Sequence, residues 1–167
     1  MKKVIFLDID GVLNVITKDF DEYGAIFQEP FVSNLKTLID QTGAQIVISS
    51  TWRHSGLKAM KEMWQKRGLA GEVIDITPDL AEIQDNGLWL GVVRGDEVKA
   101  WIDKNPVDRY VIIDDDKDFH ETQMPFFVKT SGNYSHSGNV EGYGLTTQCT
   151  IKAVSILNDY CMELTDN

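Results

Sequence analysis

Three short apolar runs, Val4–Leu7, Ile46–Ile48 and Tyr110–Ile113, each break off abruptly into acids or hydroxyls. Asp8 and Asp10 follow the first, Ser49, Ser50 and Thr51 the second, and Asp114, Asp115 and Asp116 the third. A run this short with no polar alternation is apolar on both faces, so as a strand it must be covered from both sides. Strands of that kind belong to parallel sheets, whose connections need helical crossovers.

Helical spacing supplies those crossovers. Phe31–Gln41 carries Val32, Leu35, Leu38 and Ile39 on one face and precedes Gly43 at a C-cap position. Leu57–Lys66 repeats the pattern with Leu57, Met60, Met63 and Trp64, a stripe expected in the core. Gly95–Asp103 turns Val98, Trp101 and Ile102 inward before Pro106, and Ile151–Leu164 is the expected closing helix. Lys3–Leu7, Gln45–Ser49, Glu72–Ile76, Tyr110–Ile113 and Pro125–Lys129 are the expected strands. The alternation predicts an α/β, three-layer Rossmann-like fold with a mostly parallel central sheet and right-handed crossovers. The 167 residues suit a single domain over 1–167.

With 43% hydrophobic and 25% charged residues the chain falls outside the disordered and fibrous classes. A formal net charge of -10 opposes broad, sequence-independent binding to nucleic acid or to anionic membranes. No run approaches the roughly 20 apolar residues of a membrane span, and the apolar stretch before Asp8 is too short for a secretory signal. A cytoplasmic protein is expected. Cys149 and Cys161 show no metal or disulfide spacing and are expected as buried free thiols. His54, His120 and His136 have no mutual spacing that makes a metal site or triad, which leaves surface or capping roles. Segment 131–144, with Gly132, Gly138, Gly142 and Gly144, lacks the ending of a phosphate-binding P-loop and is expected as a loop at the site rim.

Ligands of such folds sit beyond the carboxyl ends of the strands, which would bring the three polar exits together. Asp8 and Asp10, two apart, lean to the same side, and Gly11 lets the chain turn sharply. With Asp114 and Asp115 opposite, the negative charge would cost several kcal/mol unless a cation neutralised it. Magnesium suits a few carboxylates, retained waters and a substrate phosphate oxygen. A carboxylate there can attack phosphorus and form an aspartyl-phosphate. An isolated Asp-x-Asp is more often a solvated turn or cap; three acidic or hydroxyl strand ends in order reverse that preference.

Phe6-Leu7-Asp8-Ile9-Asp10-Gly11-Val12 resembles the first motif of the haloacid dehalogenase superfamily. The resemblance implies that Asp8 is the nucleophile and Asp10 the acid/base, with Asp8 and the Asp10 backbone carbonyl among the magnesium ligands. Ile46-Val47-Ile48-Ser49 is similar to the second motif, which implies a phosphate-binding hydroxyl at Ser49 or, shifted by one, Ser50. Val111-Ile112-Ile113-Asp114-Asp115 is similar to the fourth, which makes Asp115 the first choice of metal ligand, assisted by Asp114. The third motif, a cation at a helix start, falls on Arg94, with Lys99 as the alternative. Taken together, the resemblance implies a magnesium-dependent phosphomonoester hydrolase. The same residues would also serve phosphotransfer to an acceptor other than water, or a non-catalytic phosphate- or nucleotide-binding module.

Ser49-Ser50-Thr51-Trp52-Arg53, Arg94-Gly95-Asp96-Glu97 and Asp114-Asp115-Asp116 look like small domains of this superfamily associated with RNA-repair proteins. That implies a nucleotide or a phosphorylated nucleic-acid end as substrate. Asn14–Pro30 is too short for a cap domain and supplies at most a hairpin flap, and Val73–Leu90 is likewise short, so the site is expected to be open. Asp116 and Asp118 are expected as solvated or capping residues, with a metal-supporting position for Asp118 as the alternative. Ser50 and Thr51 also suit a helix cap. Arg53 either pairs with a surface acid or reaches a second phosphate, and Trp52 is expected to pack rather than to stack a base. Nothing in the sequence bears on oligomeric state.

Overall fold

The first apolar run forms β1, Lys3–Leu7, the middle strand of a five-stranded sheet. The computed structural model describes residues 1–15, 17–83, 89–132 and 142–158. After β1 come a small hairpin, β2 (Phe20–Asp21) and β3 (Gly24–Ala25), then α1 (Phe31–Thr42) and β4 (Gln45–Ile48). A 3-10 turn, Thr51–Ser55, leads into α2 (Leu57–Lys66) and β5 (Val73–Ile76). A second hairpin, β6 (Glu82–Ile83) and β7 (Trp89–Leu90), precedes α3 (Arg94–Lys104) and β8 (Arg109–Asp114). A 3-10 segment, Glu121–Phe126, β9 (Phe127–Lys129) and α4 (Thr147–Asn158) follow. The sheet order is β5-β4-β1-β8-β9 and every neighbouring pair is parallel.

The period of two along each strand divides the interior into two cores. Ile5, Leu7, Ile46, Ile48, Val111 and Ile113 face α1, α2 and α4 through Leu35, Leu38, Met60, Met63, Ala153 and Leu157. Val4, Phe6, Val47 and Ile112 face the other way, onto Val98 and Trp101 of α3 and onto Phe127. Phe6 meets Trp101 edge-on at 5.4 Å between ring centroids. Three layers result because the central strands are apolar on both sides. Among the described residues, only the β2–β3 hairpin lies between β1 and α1, in keeping with the expected absence of a large cap. No helix among them is long and apolar enough to cross a membrane.

Some element boundaries differ from expectation. The closing helix starts at Thr147, not Ile151: the Thr146 hydroxyl accepts the Cys149 N–H at 3.2 Å and caps a first turn that carries no apolar signal. Its expected extension to Leu164 lies outside the described residues beyond Asn158. The last strand is confined to Phe127–Lys129 because Pro125, which has no N–H to give a sheet, sits in the 3-10 segment. The third helix includes Arg94 as its first residue.

Candidate active site

Register puts the polar exits together. Leu7 is paired with Ile48 on one side and Ile113 on the other, so Asp8, Ser49 and Asp114 are the next residues on three adjacent strands. Backbone bonds extend the ladder one step further, from Asp8 N to Ile113 O at 3.0 Å and from Ser49 N to Leu7 O at 2.9 Å. The chain leaves β1 for β4 on one side and β8 on the other, which is the switch point where parallel sheets open a crevice.

Carboxylate oxygens of Asp8, Asp114 and Asp115 all lie within 4.8 Å of one another. Asp8 is 7% and Asp114 1% exposed, and Asp115 is half-buried. Burial pushes the Asp8 carboxyl up to about 6, against the opposing pull of Arg94 and hydrogen bonds from Ser50 and the Ile9 backbone. Burial, and next the charge of Asp8, pushes Asp114 up to about 8. Asp115 is raised as well, by burial and by Asp116. Asp114 Oδ1 accepts the Asp116 N–H at 2.8 Å, whereas the buried Oδ2 has no hydrogen-bond donor. Three crowded carboxylates, one with an unsatisfied oxygen, fit a small hard cation.

The nearby cation is Arg94. Its Nη1 lies 3.4 Å from Asp8 Oδ1 and its Nε 3.7 Å from Asp114 Oδ2, and Nη1 also donates to the Ser49 carbonyl. Asp118 holds the start of α3 in place, its carboxylate accepting the Arg94 N–H at 3.0 Å and its carbonyl the Gly95 N–H at 2.9 Å. Asp118 is thus a capping residue. One guanidinium faces three carboxylates, so negative charge remains in excess. Lys99 is exposed and pairs with Asp103 at 2.6 Å, one turn along α3.

Ser50 donates its hydroxyl to the Asp8 carboxylate and accepts the Trp52 N–H at the start of the 3-10 turn. The Ser49 hydroxyl is buried without a hydrogen-bond partner. Asp10 is exposed and is not one of the three clustered carboxylates, and its Oδ2 accepts a 2.9 Å hydrogen bond from Trp52 Nε1. Trp52 does pack, against Phe27, but its indole N–H is directed at Asp10.

Asp115 fits only because two residues beside it have no side chain. A Cβ at Gly11, where φ is +77°, would stand 2.3 Å from its carboxylate, and a Cβ at Gly132 would stand 1.7 Å from its Oδ2. Lys129 Nζ donates to the Asp115 carbonyl, and Thr130 Oγ1 donates to the Gly11 carbonyl at 2.8 Å, tying the two loops together. The contacts that Gly132 and Lys129 make with Asp115, and the Trp52 bond to Asp10, are absent from the sequence expectations. Gly132 lies inside the glycine-bearing segment that was expected at the rim. Of that segment only 131–132 and 142–144 are described, and Gly138 and His136 lie outside.

Arg53 takes the ion-pair alternative. Its Nη2 is 2.6 Å from Glu97 Oε1, and both side chains are buried, so its partner is a core acid rather than a surface one. A cavity of about 480 Å³ opens beside this pair and is lined also by Thr51, Asp79 and Arg94, which gives Arg94 a wall on both the carboxylate cluster and open space. His54 is exposed and 3.4 Å from Asp79, and His120 is 2.8 Å from Asp96 and caps the 3-10 segment. Cys149 is free but half-buried, not fully buried as expected, and Cys161 lies outside the described residues.

The family model described as "HAD domain in Swiss Army Knife RNA repair proteins" matches residues 4–135, a span that takes in the three strand ends, Arg94 and Asp10. No curated protein matches the chain.

Proposed function

This chain belongs to the family of HAD domains in Swiss Army Knife RNA repair proteins, and we propose that it is a magnesium-dependent phosphomonoesterase acting on nucleotides or phosphorylated nucleic-acid ends. The observation that carries this proposal is the meeting of the Asp8, Asp114 and Asp115 carboxylates within 4.8 Å, with Arg94 Nη1 3.4 Å from Asp8. A fold gains nothing from crowding three carboxyl groups together; a site that takes a cation and a phosphate does.

Asp8, Asp114, Asp115 and the Asp10 backbone carbonyl would hold the magnesium, which when bound supplies charge neutralisation and a phosphate-oxygen contact. Asp8 attacks phosphorus, and its new O–P bond forms as the ester O–P bond breaks. Asp10 gives a proton to the departing oxygen. In the second half a water oxygen attacks the aspartyl-phosphate, its proton passes to Asp10, and the Asp8 carboxylate leaves. Arg94, held by the Asp118 cap, is placed to steady the phosphoryl charge. Between the two serines, Ser50 is the better candidate for the phosphoryl contact, because its hydroxyl already turns to Asp8.

Release of phosphate from an aryl phosphate, mononucleotides and 5′- or 3′-phosphorylated oligonucleotides, with and without magnesium, tests the proposal beside Asp8→Asn. Magnesium-dependent release that is lost in Asp8→Asn is expected. Magnesium-dependent ligand binding with no turnover of any ester would assign a binding module instead, and transfer to an added alcohol in place of water would assign a phosphotransferase.

A further inference from the structure

An exposed carboxylate at a strand exit would ordinarily sample several rotamers. Asp10 is instead engaged through Oδ2 by Trp52 Nε1 at 2.9 Å, across 42 positions of sequence. We infer that Trp52 is a positioning residue for Asp10: its indole N–H holds one carboxyl oxygen and leaves the other, Oδ1, to face the substrate. This role rests on the phosphomonoesterase reading of the site.

The indole is a donor only, so the oxygen it engages must act as an acceptor, and the transferable proton falls to Oδ1. The ring that carries this N–H is itself clamped. Phe27 packs against it at 5.6 Å between centroids, and the Arg67 guanidinium lies 5.6 Å from the Trp52 ring and 4.4 Å from the Phe27 ring. Gly24, at φ +117°, closes the slot: a Cβ there would stand 3.1 Å from Trp52 Cη2. Arg67 is anchored in turn, donating to the two Asp21 carboxylate oxygens at 2.9 and 2.6 Å and to the Gly24 carbonyl at 3.3 Å. The β2–β3 hairpin therefore braces the tryptophan from the end of α2.

Packing alone does not ask for this tryptophan. A phenyl ring would fill much of the slot between Phe27, Gly24 and Arg67, whereas the N–H directed at Asp10 is what a phenyl ring cannot supply. Through Trp52 the β2–β3 hairpin thus bears on the orientation of a carboxyl group.

Trp52→Phe keeps a ring and removes the donor. The readout is the rate of the phosphoryl-transfer step, under single-turnover conditions, on two esters: an alkyl phosphate, whose leaving oxygen needs a proton, and an aryl phosphate with an acidic phenol, which needs it little. The loss on the alkyl ester should exceed the loss on the aryl ester by about tenfold, a part of the 10²–10⁴-fold that a positioned general acid supplies. That excess should vanish when Asp10→Ala is already present, because the two changes act through one interaction. Equal losses on the two esters, or losses that multiply with Asp10→Ala, would overturn the role. A wild-type protein that hydrolyses neither these esters nor any mononucleotide or phosphorylated oligonucleotide would instead overturn the phosphomonoesterase reading, and the positioning role with it. If Trp52→Phe fails to fold, the indole N–H resonance of Trp52 in wild type and Asp10→Ala decides: a resonance unmoved by loss of the carboxylate refutes the contact.

Discussion

Asp114→Asn should stabilise the metal-free protein at neutral pH, the reverse of what most substitutions at a buried position do. Burial, with the neighbouring Asp8 charge, raises this carboxyl from 3.8 to about 8 in the folded chain. The folded state therefore binds more protons than the unfolded state between those values, and stability falls as pH climbs from the lower to the higher. At pH 7 the gap above the ordinary carboxyl value is about three pH units, or about 4 kcal/mol at 1.36 kcal/mol each. Proton sharing with Asp8 brings the expected gain to about 1–3 kcal/mol. Urea unfolding in chelator at pH 7 would read this as a higher midpoint at unchanged slope. Below the ordinary carboxyl value the difference should vanish, since both states are protonated, and magnesium should narrow or reverse it by stabilising the wild type more than the variant. A variant less stable than wild type in chelator at pH 7 would refute the claim that the cluster is strained by its own charge.

Asp115→Asn should raise the magnesium concentration needed for half-maximal activity; an unchanged magnesium titration would remove Asp115 from the ligand set. Gly132→Ala places a Cβ 1.7 Å from Asp115 Oδ2 and must displace that carboxylate. It should weaken magnesium dependence and cost about 1–3 kcal/mol in thermal or urea unfolding, and wild-type behaviour in both would contradict the described contact. Glu97→Gln leaves the buried Arg53 charge uncompensated and should destabilise by about 3–5 kcal/mol; a loss under about 1 kcal/mol by urea unfolding would show the pair to be solvated.

The residues along β1, β4 and β8 made their own placement legible, because a strand buried on both faces shows as an unbroken apolar run and its polar exit shows as a sharp edge. Asp8, Ser49 and Asp114 could therefore be expected at one sheet end, and the structure puts them at consecutive registers. Arg94 was legible more weakly, as a cation at a helix start; Lys99 carried the same signal, and only the shape of α3 separates them. Features that depend on contact between distant segments left no local trace. The Arg53–Glu97 pair spans 44 positions and the Trp52–Asp10 bond 42. Gly132 carries no periodic or charge signal, and its reason appears only once Asp115 lies against it. Polar caps had the same effect on boundaries: Thr146 starts the last helix ahead of its first apolar residue.

The central claim is that Asp8 attacks phosphorus, and the most direct measurement is rapid acid quench of the magnesium-loaded protein during turnover, followed by peptide mapping of the phosphoryl group. The account predicts a transient phosphoryl group on the peptide that contains Asp8, formed at least as fast as phosphate is released and missing from Asp8→Asn. Steady phosphate release with no phosphoryl group on that peptide, retained in Asp8→Asn, would contradict it.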